Sequence, residues 1–102
     1  ALTYYEQALQ IRREVGDRGG EGTTLHNIGT IYFEQSRYDV ALACFLIARG
    51  IFEEVQSPNS NVTQGYLDSL RRKVGEKQFT ALLAQVEPQA YQVVERGLRE
   101  GL

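Results

Sequence analysis

Few residues in this chain have the types and spacing that bond chemistry requires. His26 is the only histidine and Cys44 the only cysteine. A catalytic imidazole needs a nucleophile and an orienting partner within hydrogen-bond reach. Glu34 lies two turns away and Ser36 falls in a turn, so no triad forms around His26. A metal site needs companion ligands at suitable spacing, and His26 has none. The run Gly16-Asp17-Arg18-Gly19-Gly20-Glu21-Gly22-Thr23-Thr24 is glycine-rich like a phosphate cradle. Such a cradle follows a strand and supplies a lysine. This one follows a helical pattern, has no lysine and adds the negative Glu21, so it reads as a turn between helices. Cys44 sits inside an apolar helical run, without the exposure and nearby positive charge that activate a thiol, and reads as a small buried hydrophobe. The carboxylates of Asp17, Glu21, Glu53 and Glu54 are scattered, and no acid/base pair emerges. Arg71-Arg72-Lys73, the one local cationic cluster, reads as a solvated helix end. The chain is therefore expected not to be an enzyme, to bind no metal and to carry no cofactor.

Composition narrows the alternatives. At 102 residues the chain is one domain or a piece of one. Hydrophobic residues make up 42% and charged residues 24%, the balance of a globular protein. Eleven Lys and Arg against thirteen Asp and Glu give a net charge of -2, which removes the basic footprint of a nucleic-acid binder. No apolar run is long enough to span a membrane. One cysteine allows no internal disulfide framework and fits a reducing compartment, so a cytoplasmic location is expected. There is no methionine, and the chain opens inside a periodic apolar pattern without a cap. Both features lead us to expect an excised piece of a longer protein.

The elements that must position any site are helical. Self-similarity appears at an offset of 40 residues, pairing Ala1-Leu2 with Ala41-Leu42, Tyr5 with Phe45, Ala8 with Ala48, Ile11 with Ile51 and Glu14-Val15 with Glu54-Val55. The matches fall at steps of three and four, which is helical spacing. Within Asp39–Val55, the residues Ala41, Phe45, Ala48, Phe52 and Val55 form one stripe. Leu42, Leu46, Ile47 and Ile51 widen it, so this helix must be covered on more than one side. Residues 1–15 repeat the stripe with Ala1, Tyr5, Ala8, Ile11 and Val15. A helix over about Glu21–Gln35 buries Leu25, Ile28, Ile31 and Tyr32. The run Gly16-Asp17-Arg18-Gly19-Gly20 ends the first helix, Ser36–Asp39 is a tight turn, and Ser60 or Asn61 is placed to cap a fourth helix. Tyr66, Leu67, Leu70 and Val74 mark that fourth helix, which Gly75 closes. Phe79, Leu82, Leu83 and Val86 mark a fifth, and Pro88 starts a sixth with Tyr91, Val94 and Leu98 on its apolar face. No segment alternates as a strand does. Six helices and no sheet are expected.

One polar face stands apart from the buried ones. His26, Thr30 and Phe33 are spaced four and three apart, with Thr23, Asn27 and Glu34 alongside, offset from Leu25, Ile28 and Tyr32.

These residues resemble the tetratricopeptide repeat family, whose unit is two antiparallel helices, A then B. Leu25, Ile28, Gly29 and Tyr32 fall on the family's helix A pattern, and Ala41, Phe45 and Ala48 on its helix B pattern. Residues 1–15 look like helix B of a preceding repeat. The resemblance covers roughly residues 1–56, and the 40-residue period is longer than the usual ~34. It is similar to the longer-helix variant of kinesin light chains and of many bacterial repeat proteins. Residues 57–102 depart from the pattern, since Gly65, Asp68 and Ser69 stand where Leu25, Ile28 and Gly29 would project. They are expected to form a degenerate repeat and a C-terminal cap.

The resemblance implies an α-solenoid that binds proteins or peptides on the helix A face. Thr23, His26, Asn27, Thr30, Phe33 and Glu34 are the candidate binding residues. An amide such as that of Asn27 offers both donor and acceptor to an extended main chain. The version of the family that clamps C-terminal carboxylates needs Lys and Arg there, and His26 and Thr30 stand in their place. A structural cap or spacer in a larger signalling protein or enzyme remains the alternative. Leu2, Tyr5 and Leu9 are expected to be uncovered on one side, with self-association through residues 1–15 as the result.

Overall fold

The chain turns three times in the same way, at intervals of 20 residues. Gly16, Ser36 and Gln56 each take a left-handed backbone, with φ of 74°, 62° and 58°. Around each, the same two hydrogen bonds close the preceding helix. The amides of Gly16, Ser36 and Gln56 donate to the carbonyls of Arg13, Phe33 and Glu53. Those of Asp17, Arg37 and Ser57 donate to Arg12, Tyr32 and Phe52 at 2.8, 2.9 and 2.7 Å. This is the Schellman closure, which satisfies the orphan carbonyls of a helix end. Twice it is made by a residue other than glycine.

A computed structural model describes residues 2–101. They form α1 (Leu2–Glu14), α2 (Arg18–Glu34), α3 (Tyr38–Glu54), α4 (Asn59–Val74), α5 (Glu76–Val86) and α6 (Ala90–Gly101), with a 3-10 turn at Glu87–Gln89 between the last two. No strand occurs among the described residues, and the all-α, helical-hairpin expectation holds. Ala1, expected in the first stripe, and the Leu2 side chain, expected to be uncovered, lie outside the described residues.

Two helix starts differ from expectation. Only Val15, Gly16 and Asp17 lie between α1 and α2. Gly19, Gly20 and Gly22 are already helical, because the Asp17 carboxylate accepts from the Gly20 amide at 2.9 Å and caps α2 early. The fourth helix is capped neither by Ser60 nor by Asn61. The Ser57 hydroxyl accepts from the Asn59 amide at 3.2 Å instead.

The core is built around α3, which touches α2, α4, α5 and α6. Val40 to Phe45, Ile47, Ala48, Ile51 and Phe52 are all buried. Two glycines set the distance between α2 and α3. A methyl group on Gly29 would lie 2.8 Å from the Phe45 ring, and one on Gly22 would lie 2.9 Å from the Phe52 ring. The seam accepts nothing larger than hydrogen at either place. Cys44 lies beneath Gly29, wholly buried, as the sequence suggests.

The last helix does not extend the stack. It folds back over α3 and reaches α1. Gly97 is the contact point, where a methyl would lie 2.8 Å from both methyls of Val40. The Tyr32 hydroxyl donates to the Gly97 carbonyl at 2.7 Å, between residues far apart in sequence. Val93, Val94 and Leu98 are buried beside it, and Tyr91 is exposed, contrary to expectation.

This return changes the reading of α1. Leu9 is buried and Tyr5 half-buried, so the expected gap over them is closed. The uncovered residues are Tyr4, Ile11 and Val15. The repeat explains the exposure. Tyr4 and Ile11 are 69% and 57% exposed, whereas their equivalents Cys44 and Ile51 under α2 are 0% and 2%.

Charge ties the first hairpins together at one end. Glu21 is buried and takes Arg13 and Arg18 at 3.1 Å each, and Arg18 also grips Glu54 with two nitrogens at 3.0 and 3.1 Å. The Glu54 carboxylate hydrogen-bonded to Arg18 raises the arginine pKa further, and Arg18 in turn holds Glu54 below the ordinary carboxylate range.

Candidate functional site

The six candidate residues all lie on α2, but they separate into two sets. Thr23, Asn27, Thr30 and Glu34 recur at steps of four, three and four and form an outward stripe. Thr23 and Glu34 are exposed, and Asn27 and Thr30 half-buried. Both threonine hydroxyls donate to their own helix, Thr23 to the Gly19 carbonyl at 3.1 Å and Thr30 to the Asn27 carbonyl at 2.7 Å. Their lone pairs remain as acceptors.

His26 and Phe33 turn sideways toward α4. The His26 ring meets Tyr66 edge-on at 5.0 Å and lies 5.5 Å from Phe45. Phe33 contacts Tyr38, Tyr66 and Phe45 at 5.8, 6.4 and 6.5 Å. Edge-to-face aromatic pairs of this kind each contribute about 0.5–1.5 kcal/mol beyond their buried area. These two residues hold the α2–α4 seam together.

Thr63, buried on α4, donates its hydroxyl hydrogen to the Asn59 carbonyl at 3.3 Å. We assign the Nδ1 proton of His26 as the donor to its oxygen at 3.0 Å. Burial lowers the His26 pKa, so the ring is neutral at pH 7. It is placed as a packing and hydrogen-bonding group. Between α2 and α4 lies a cleft of about 170 Å³, lined by Thr23, His26, Phe52, Asn59, Val62 and Thr63. Phe52, Asn59, Val62 and Thr63 were not legible as site residues, because their meeting with α2 depends on how α4 docks. The apolar Val62, one helical turn before Tyr66, is the sequence signal that could have found them.

The other chemistry-bearing residues are accounted for structurally. Burial pushes the Cys44 thiol far up, keeping it protonated and inert. Arg71 is gripped by both oxygens of Glu76, which raises its pKa, and lies over the Phe79 ring at 5.7 Å. The described residues hold no cluster of three or more potential metal ligands. None of the described helices is long and apolar enough to cross a membrane.

A family model described as tetratricopeptide repeat matches residues 1–57, more than half of the chain. No curated protein and no solved structure matches it.

Proposed function

The chain belongs to the tetratricopeptide repeat family, and from that premise we propose that its α2 face binds an extended segment of a protein partner. Domains of this family generally mediate protein–protein interaction and are typically non-catalytic. The observation that carries the reading is the outward stripe Thr23, Asn27, Thr30 and Glu34. It takes no part in the core, and its amide and lone pairs suit a peptide main chain. His26 and Phe33 support the stripe from the side by fixing α4 against α2.

In this reading residues 57–102 are a degenerate repeat and cap. The return of α6 over α3 supports it, and also favours the alternative of a spacer with no ligand of its own. The 20-residue interval between turns supports the longer-period, kinesin-light-chain-like variant. The bare Tyr4 and Ile11 of α1, with Val15 just past its end, support self-association through residues 1–15. A buried, protonated Cys44 is compatible with the cytoplasm.

A photo-crosslinking residue at Thr30 tests the binding face against one at Gln92 on α6. Partner adducts at Thr30, reduced by Asn27→Ala, are expected. No adducts at either position would overturn the reading in favour of the spacer, and adducts only at Gln92 would overturn it by moving the binding face to α6. Sedimentation of the chain with Ile11→Lys tests self-association: a dimer should become a monomer.

A further inference from the structure

We propose that the α2–α4 cleft is a pocket for one uncharged, ring-sized side chain of the bound segment, a subsite that rests on the groove reading above and names its ligand class. Size is the first argument. The cleft holds about 170 Å³, and an apolar cavity of about 150 Å³ is enough to take up benzene.

Charge is the second argument. The six lining residues carry no ionised group, because His26 is neutral. Three other clefts differ. That between α1 and α6 has Glu6, Arg13, Glu95 and Arg99, and the two beside Leu46 share Arg49 and Glu87. A charged side chain entering the α2–α4 cleft would lose water and meet no counter-ion, which is costly.

The third argument is preorganisation. The Phe52 ring is wedged against Gly22 and forms a fixed inner wall. The Thr63 hydroxyl and His26 Nδ1 already bond each other, so these two groups of the floor are satisfied. Val62, 54% exposed, is the outer wall, and Tyr66 continues the apolar surface one turn on. Thr23 belongs both to this lining and to the polar stripe. A segment held along Thr23 and Asn27 can therefore drop one side chain into the pocket.

The test uses the whole chain, labelled with 15N and titrated with the N-acetyl N-methylamides of phenylalanine, lysine and glutamate. Saturable amide shifts at Thr23, His26, Asn59 and Thr63 are expected with the phenylalanine amide alone. Val62→Glu, at an exposed position, should weaken them by roughly tenfold or more. Thr23→Glu is the second variant, should the first disturb the amide spectrum. Equal shifts with the lysine or glutamate amide overturn the pocket, as do phenylalanine shifts that ignore both variants, or no shifts at all. A partner that crosslinks at Thr30 and binds Val62→Glu and Thr23→Glu at full strength removes the pocket and leaves the groove. Saturation of the cleft by the phenylalanine amide without any crosslink at Thr30 keeps the pocket and removes the groove.

Discussion

The first three helices and the last three reach the same buried core by different means. Between α2 and α3 the spacing is set by Gly22 and Gly29, each pressed against an aromatic ring of α3. The turns at Gly16, Ser36 and Gln56 share one hydrogen-bond pattern. From α4 onward that regularity is lost. Gly75, with φ of 90°, ends α4 and starts α5 at once. The final helix then returns to α3 through a third close glycine, Gly97 on Val40. The difference teaches that the repeat is a device for placing one helix on the next at fixed distance. The last helices borrow only its principle of close contact and use it to close the stack on itself.

The largest expected effect strikes the shared centre. Phe45→Ala should cost about 3–5 kcal/mol in urea unfolding, with α2 and α4 losing protection together. If α4–α6 stayed folded in that variant, the two regions would be separate units and the comparison would fail. Next come the glycines. Gly29→Ala and Gly97→Ala should each cost about 1–3 kcal/mol through overpacking. Hydrogen exchange should separate them, with Gly29→Ala loosening α2, α3 and α4, and Gly97→Ala loosening mainly α6.

The turns should divide by sign. A left-handed residue with a side chain is disfavoured by roughly 1–2 kcal/mol. Gly16→Ala should therefore destabilise by about 1 kcal/mol, while Gln56→Gly should stabilise by up to the same amount. Opposite signs in matched thermal melts would show that the turns are equivalent in spite of their sequences.

The smallest effect is the pH dependence of the α2–α4 seam. The folded pKa of His26 is depressed below the ordinary 6.5 by burial. The unfolded chain then binds more protons, so stability is complete above pH 6.5 and falls as the pH drops through that value. Its ring neighbours Phe45 and Tyr66 and its bonding partner Thr63 carry no compensating charge. The urea midpoint should decline between pH 8 and 5, and His26→Gln should flatten the decline. An equally steep decline in that variant would place the titration elsewhere.

Much of the N-terminal architecture was written locally. The stripe over Asp39–Val55 anticipates α3 within a residue at each end, and Gly29, Ala41, Cys44 and Ala48 are buried where their small size implied. For α1 the same periodicity chose Ile11 and Val15, which are exposed, over Leu9, which is buried. The pattern names an apolar side of a helix and cannot say which neighbour covers it. The turn at Ser36 was legible, but the left-handed backbone of Ser36 and Gln56 was not, since neither residue prefers it and the Schellman hydrogen bonds hold it.

Helix content and the 40-residue period follow from the order of residues alone, because helical spacing is set by neighbours within a few turns and the period repeats that spacing. The turning of His26 and Phe33 toward Tyr66, the cleft beside Val62 and the bond from Tyr32 to Gly97 were decided only by the folded chain. Each joins α2 to a residue of α4 or α6 more than 30 positions away, where helical spacing carries no information and packing distance alone selects the partner.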